Sequence, residues 1–146
     1  MSQTLADAQR AFVAAMQRET TGTDLPRYAA VLDALIAWST AHSDRITFRP
    51  GGKRTDVIRF ERAKTKEVLW SAQVVRAAAP KLEIHLASGR PMSAEDRAST
   101  METLNAHSRE VLVEGDRLRI GVGGVKNAAA LAAVLDVLDR LLGDPT

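Results

Sequence analysis

The stretch from Arg45 to Ala87 limits what this chain can fold into more than any other part. It reads RITFRPGGKRTDVIRFERAKTKEVLWSAQVVRAAAPKLEIHLA, with apolar residues at every second position in several short runs. That period marks strands with one face on a core, because successive side chains of a strand point to opposite faces. Ile46 and Phe48 alternate with Arg45, Thr47 and Arg49, and Pro50-Gly51-Gly52 then forms a turn. Residues 56–62 put Ile58 and Phe60 on one side and Val57, Arg59 and Glu61 on the other. Residues 81–87 set Leu82, Ile84 and Leu86 against Glu83 and His85. Residues 67–75, EVLWSAQVV, are apolar on both sides, as a strand inside a sheet can be.

Helical periodicity flanks these strands. Residues 3–19 form an amphipathic helix with a narrow stripe of Leu5, Phe12 and Met16, suited either to lying on the domain or to pairing with a second copy. Asp24 is an N-cap and Pro26 a first-turn residue for a helix ending near His42, whose wide apolar face carries Tyr28, Val31, Leu32, Leu35, Ile36 and Trp38. Ser93, followed three residues later by Asp96, begins a third helix that runs to Ala106 on Met101 and Leu104. Two short strands, Glu110–Val113 and Arg117–Val122, flank Glu114-Gly115-Asp116. A last helix from Asn127 to Leu142 carries Leu131, Val134, Leu135, Leu138, Leu141 and Leu142, and Gly143 and Pro145 stop it.

The order α-α-β-β-β-β-α-β-β-α predicts an α+β fold. Its antiparallel sheet has about five or six strands, with helices packed on one face. The 146 residues fit one domain with 26–142 as its core, the helix within 1–22 being either peripheral or dimerising. With 45% hydrophobic and 26% charged residues the chain has enough apolar side chains for a core, and without cysteine it has neither disulfides nor thiolate chemistry. Neither a signal peptide nor a bilayer-spanning run is legible, so a soluble cytoplasmic protein is expected.

Charge is distributed unevenly. Arg45, Arg49, Lys53, Arg54, Arg59, Arg62, Lys64 and Lys66 face only Asp56 and Glu61 within that window, in a chain of net charge +2. Alternation sends Arg45, Thr47, Arg49, Arg59, Glu61, His85, Arg117 and Arg119 to the sheet face away from the helices. A basic hairpin and sheet face suits a polyanion, although a run of charge also serves simply as a solvated surface.

Motifs for catalysis are weak. Gly121-Val122-Gly123-Gly124-Val125-Lys126 joins a strand to a helix but matches neither the Walker nor the dinucleotide spacing. Asp56 at the start of the second strand and Glu83 on the fourth could serve a metal-dependent nuclease, yet the third strand lacks Glu-x-Lys. His42, His85 and His107 have no metal-ligand spacing. Glu83 and His85 share a strand face roughly 7 Å apart, from two residues of strand rise.

From Pro26 to Leu142 the chain runs through a helix, strand hairpins, a capped helix through Leu104-Asn105, a short hairpin and a last helix, Ala129-Ala130-Leu131-Ala132-Ala133-Val134-Leu135-Asp136. This arrangement resembles small uncharacterised bacterial α+β modules, sometimes appended to restriction-type nucleases and other DNA-metabolism proteins. The aromatics common in the strands of those modules are reduced here to Phe48, Phe60 and Trp70. The resemblance implies a nucleic-acid context and transfers no site residues.

The expectation is a module without catalysis, metal or cofactor that contacts nucleic acid or a nucleic-acid-bound partner. Phosphates would meet Arg45, Arg49, Lys53, Arg54, Arg59, Arg62, Lys64, Lys66, Arg117 and Arg119. The alternatives are a protein-interaction or oligomerisation module, with a homodimer through residues 3–19, and a divergent metal-dependent nuclease.

Overall fold

A computed structural model describes residues 4–19, 25–49, 57–75, 80–86, 93–107, 111–115, 117–122, 125 and 127–142. The elements are α1 (Leu5–Glu19), α2 (Leu25–Ala41), β1 (Ile46–Arg49), β2 (Val57–Arg62), β3 (Val68–Gln73), β4 (Lys81–His85), α3 (Ala94–His107), β5 (Val111–Glu114), β6 (Arg117–Gly121) and α4 (Ala128–Leu142). The strands form one antiparallel sheet in the order β1-β2-β3-β4-β6-β5. Element types and order are those read from the sequence. The proposed N-cap Asp24, the turn at Pro50-Gly51-Gly52, most of the glycine-rich turn before α4 and the residues after Leu142 lie outside the described residues.

Register turns the alternating pattern into rows that cross the whole sheet. On one face Phe48, Phe60, Trp70, Ile84, Leu118 and Val113 lie side by side. A second row on that face joins Ile58, Ala72, Leu82, Ile120 and Val111. These rows, together with residues of all four helices, form one continuous core. Phe60 and Trp70 stack with centroids 5.2 Å apart, and Phe48 tilts against Phe60 at 5.9 Å. The other face shows no helix packed on it among the described residues.

Strand β3 explains why its sequence looked apolar on both sides. A register shift between Phe60 and Glu61 leaves Leu69 without a partner, and both Leu69 and Trp70 are fully buried. A β-bulge of this kind suspends strict alternation for one residue. In the β2–β3 turn, Lys66 takes a positive φ of 63° as its N–H bonds the carbonyl of Arg62 at 2.9 Å.

Local capping fixes the helix starts. Thr4 Oγ1 accepts from the N–H of Asp7 at 3.1 Å, Ser93 Oγ from that of Asp96 at 3.0 Å and Asn127 Oδ1 from that of Ala130 at 2.9 Å. Helix α1 buries Ala8, Phe12, Ala15 and Met16 in the common core, so the apolar stripe that suggested a dimer is occupied within the chain. Trp38, read as core, is only partly buried, and its indole N–H donates to Asp139 Oδ1 of α4 at 2.8 Å.

The helix layer is pinned to the sheet by one buried polar contact. Trp70 Nε1–H donates to Ser39 Oγ at 2.8 Å, and the Ser39 hydroxyl donates to the carbonyl of Leu35 at 2.8 Å. Both Trp70 and Ser39 are 0% exposed. Replacing Ser39→Ala leaves a buried indole N–H without an acceptor, which costs about 1–3 kcal/mol. The expected result is a lower urea midpoint at unchanged slope. A midpoint equal to that of the wild type would show that the bond contributes nothing to stability.

Candidate functional site

The uncovered face is built from the residues that alternate with the core rows. Its central row is Arg49, Arg59, Ser71, Glu83, Arg119 and Leu112, one residue from each strand. Beside it run Thr47, Glu61, His85, Arg117 and Glu114 toward one end of the strands, and Val57, Gln73, Lys81 and Gly121 toward the other. Five cationic side chains therefore share this face with three carboxylates.

Glu83 organises the β4–β6 half. Arg117 Nη1 lies 3.1 Å from Glu83 Oε1, Arg119 Nε 3.5 Å from Oε2 and His85 Nε2 3.5 Å from Oε1. Arg119 also reaches Glu114 through Nη1 at 3.1 Å. Cross-strand pairs of opposite charge contribute about 0.2–1 kcal/mol each, so the network chiefly holds two guanidinium groups in place. In the β1–β3 half the carboxylate is Glu61, whose Oε2 lies 3.5 Å from Arg49 Nη1.

The ten cations read as one phosphate-binding set fall into four groups. Arg49, Arg59, Arg117 and Arg119 lie on the uncovered face. Arg45 and Arg62 do not. Arg62 pairs with the buried Ile46 on the helix-covered face, and its guanidinium donates to the carbonyl of Leu141, while that of Arg45 donates to the carbonyl of Leu142. Both close the C-terminus of α4, where a cation meets the negative end of the helix dipole and unpaired carbonyls. Partial burial and then the charge of Arg45 push the Arg62 pKa down from its ordinary value.

Lys64 and Lys66 are exposed in the β2–β3 turn, while Lys53 and Arg54 lie outside the described residues. Of the described members of the window, Arg49 and Arg59 lie on the uncovered face whereas Arg45 and Arg62 are spent on the end of α4. The contiguous basic window of the sequence is thus not one surface patch. Two side chains that complete the face, Ser71 and Lys81, were not singled out from the sequence. Lys81 was legible from its alternation with Leu82, whereas Ser71 was hidden beside the bulge.

Catalytic readings find less support in the geometry. The Glu83–His85 pair does share a face, but the carboxylate is engaged by Arg117 and Arg119 as well. Among the described residues no group of three or more His, Asp or Glu side chains could hold a metal ion, and Asp56 lies outside them. His42 closes its own helix, with Nδ1 2.8 Å from the carbonyl of Trp38 and its ring 4.5 Å from the Trp38 ring. A groove of about 160 Å³ between the starts of α2 and α4 is lined by Arg27, Val31, Val125, Asn127 and Leu131. It is smaller than a typical ligand pocket, and Arg27 Nη1 bonds the carbonyl of Val125 there at 3.1 Å. No described helix is long and apolar enough to cross a membrane.

His85 supplies a pH-sensitive observable on this face. Partial burial lowers its pKa from 6.5, Glu83 opposes the shift and Arg117 adds to it. A histidine that binds its proton less readily folded than unfolded favours the neutral form of the native state. Its stability contribution is therefore full above the unfolded value and declines as pH falls through 6.5 toward the folded value. Wild type should lose more stability than His85→Gln between about pH 7.5 and pH 5 in matched urea titrations. Equal losses would show that His85 titrates alike in both states.

No protein-family model matches the chain, and no curated protein and no solved structure matches it either.

Proposed function

We propose that this protein binds nucleic acid through the sheet face opposite its helices, without catalysis. The observation that carries the reading is the placement of Arg49, Arg59, Lys81, Arg117 and Arg119, from four of the six strands, on a sheet face that no described helix covers. Arg49 and Arg117 have side chains more than half exposed. Phosphate recognition uses this kind of donor, since the planar guanidinium matches two oxygens at once. Glu83 and Glu114 set the position of Arg117 and Arg119 before any ligand arrives, which lowers the ordering cost of binding.

The chemistry of the face favours backbone contact over base reading. It carries no Phe, Tyr or Trp among the described residues, because Phe48, Phe60 and Trp70 point into the core rows. Without stacking platforms, single strands gain little, and phosphate contacts fix position without specifying sequence. The alternative of a homodimer through residues 3–19 would have to use the polar side of α1, since Phe12 and Met16 are inside the domain.

Fluorescence anisotropy of the protein with labelled duplex DNA and RNA across a salt series tests this. Binding should weaken with salt at a log–log slope of about −0.9 for each phosphate contact on duplex DNA. The double variant Arg49→Gln, Arg117→Gln should lose affinity similarly on unrelated sequences and flatten the slope by roughly two contacts. Absence of binding at low salt, or a slope that the double variant leaves unchanged, would overturn the proposal.

A further inference from the structure

Arg49 and Arg59 stand directly opposite each other on β1 and β2, on the uncovered face. Side chains in that relation have Cβ atoms about 4.5–5.5 Å apart, and like charges so placed are destabilising. Across the rest of the face the arginines have close carboxylates: Arg117 meets Glu83 at 3.1 Å and Arg119 meets Glu114 at 3.1 Å. Arg59 has no carboxylate partner among the described residues, and its Nε is buried with no acceptor. Arg119 Nε is also buried without hydrogen-bond geometry, but Glu83 Oε2 lies 3.5 Å away. Among the described residues Arg49 has only the long 3.5 Å contact to Glu61. Ser71, next after Arg59 in the same row, is half-buried and carries a hydroxyl, a group that can donate.

A buried charged donor without an acceptor is costly, and two opposed cations add to that cost. An oxyanion between them would remove both penalties at once. We infer that Arg49, Arg59 and Ser71 together seat a single phosphate group. Three neighbouring strands at a spacing of about 4.8 Å supply the donors, so the ligand must accept from three directions. The oxygens of a phosphate are arranged tetrahedrally, three of them free in a monoester and two in a backbone phosphodiester. They accept from donors outside a single plane, whereas the two oxygens of a carboxylate lie in one plane. Glu83 follows Ser71 in the row and bounds the seat with negative charge. The inference rests on the proposed use of this face for phosphates and narrows it to the β1–β3 half, where the arginines are not neutralised. The phosphate belongs either to a nucleic-acid backbone or to a small phosphorylated molecule.

Arginine Nε–Hε spectra and thermal unfolding of the full chain, titrated with inorganic phosphate against chloride at equal ionic strength, test the seat. Arg59 and Arg49 resonances should shift saturably and Tm should rise with phosphate. Arg59→Gln and Ser71→Ala should each reduce the response several-fold, while Arg140→Gln on the exposed side of α4 keeps it. A response no larger than that to chloride, or one that survives Arg59→Gln, overturns the seat. Labelled duplex DNA in the same samples separates the two readings. Phosphate shifts at Arg59 without duplex binding support the seat and assign it to a small phosphorylated ligand, overturning only the nucleic-acid function. Duplex binding without a phosphate response at Arg59 overturns the seat alone.

Discussion

The indole N–H of Trp70 is the point on which the two layers are aligned. A tryptophan brings more apolar area to a core than any other side chain, but its one donor must find an acceptor once water is gone. Here the acceptor is Ser39 of α2, which in turn donates to its own helix at Leu35. The bond fixes α2 along β3, and Phe60 stacks on the same indole from β2. The remaining apolar contacts are non-directional and would permit sliding. This one does not.

A second directional device acts at the far end of the helix layer. Arg45 and Arg62 enter from β1 and β2 to meet the last carbonyls of α4, where unpaired acceptors and the helix dipole both favour a cation. The first hairpin is thereby tied to the last helix across most of the chain length. Two of the most basic positions thus serve the fold, and the charge left for a ligand is smaller and more local than the sequence suggests. On the uncovered face it divides again, into a neutralised half around Glu83 and an under-compensated half around Arg59.

The architecture was legible because β1, β2, β4 and β6 alternate apolar with polar residues and the helices carry caps, as Ser93 and Asn127 show. The face of Arg62 was legible as well, since counting on from Ile58 and Phe60 places it inward. Its charge argued for the surface and outweighed the count, because a helix C-terminus as its partner is non-local and invisible in a single segment. Arg45 precedes β1, where alternation no longer dictates direction. The role of Ser71 was obscured by the extra residue at Leu69, and α1 was ambiguous because the alanines of its stripe pack in a core as readily as they line a surface. Pairing of Glu83 with Arg117 and Arg119 requires the β4–β6 register, which no local pattern encodes.

The core row Phe48–Phe60–Trp70–Ile84–Leu118–Val113 and the polar row Arg49–Arg59–Ser71–Glu83–Arg119–Leu112 are each other's neighbours, displaced by a single residue along every strand. A gain or loss of one codon within a strand would therefore exchange the two rows locally, sending arginine into the core and an aromatic ring into water. Variation in chain length should be confined to the connections between strands. The bulge at Leu69 is the exception in form, an added residue absorbed by a kink in the strand so that the rows on either side stay in step.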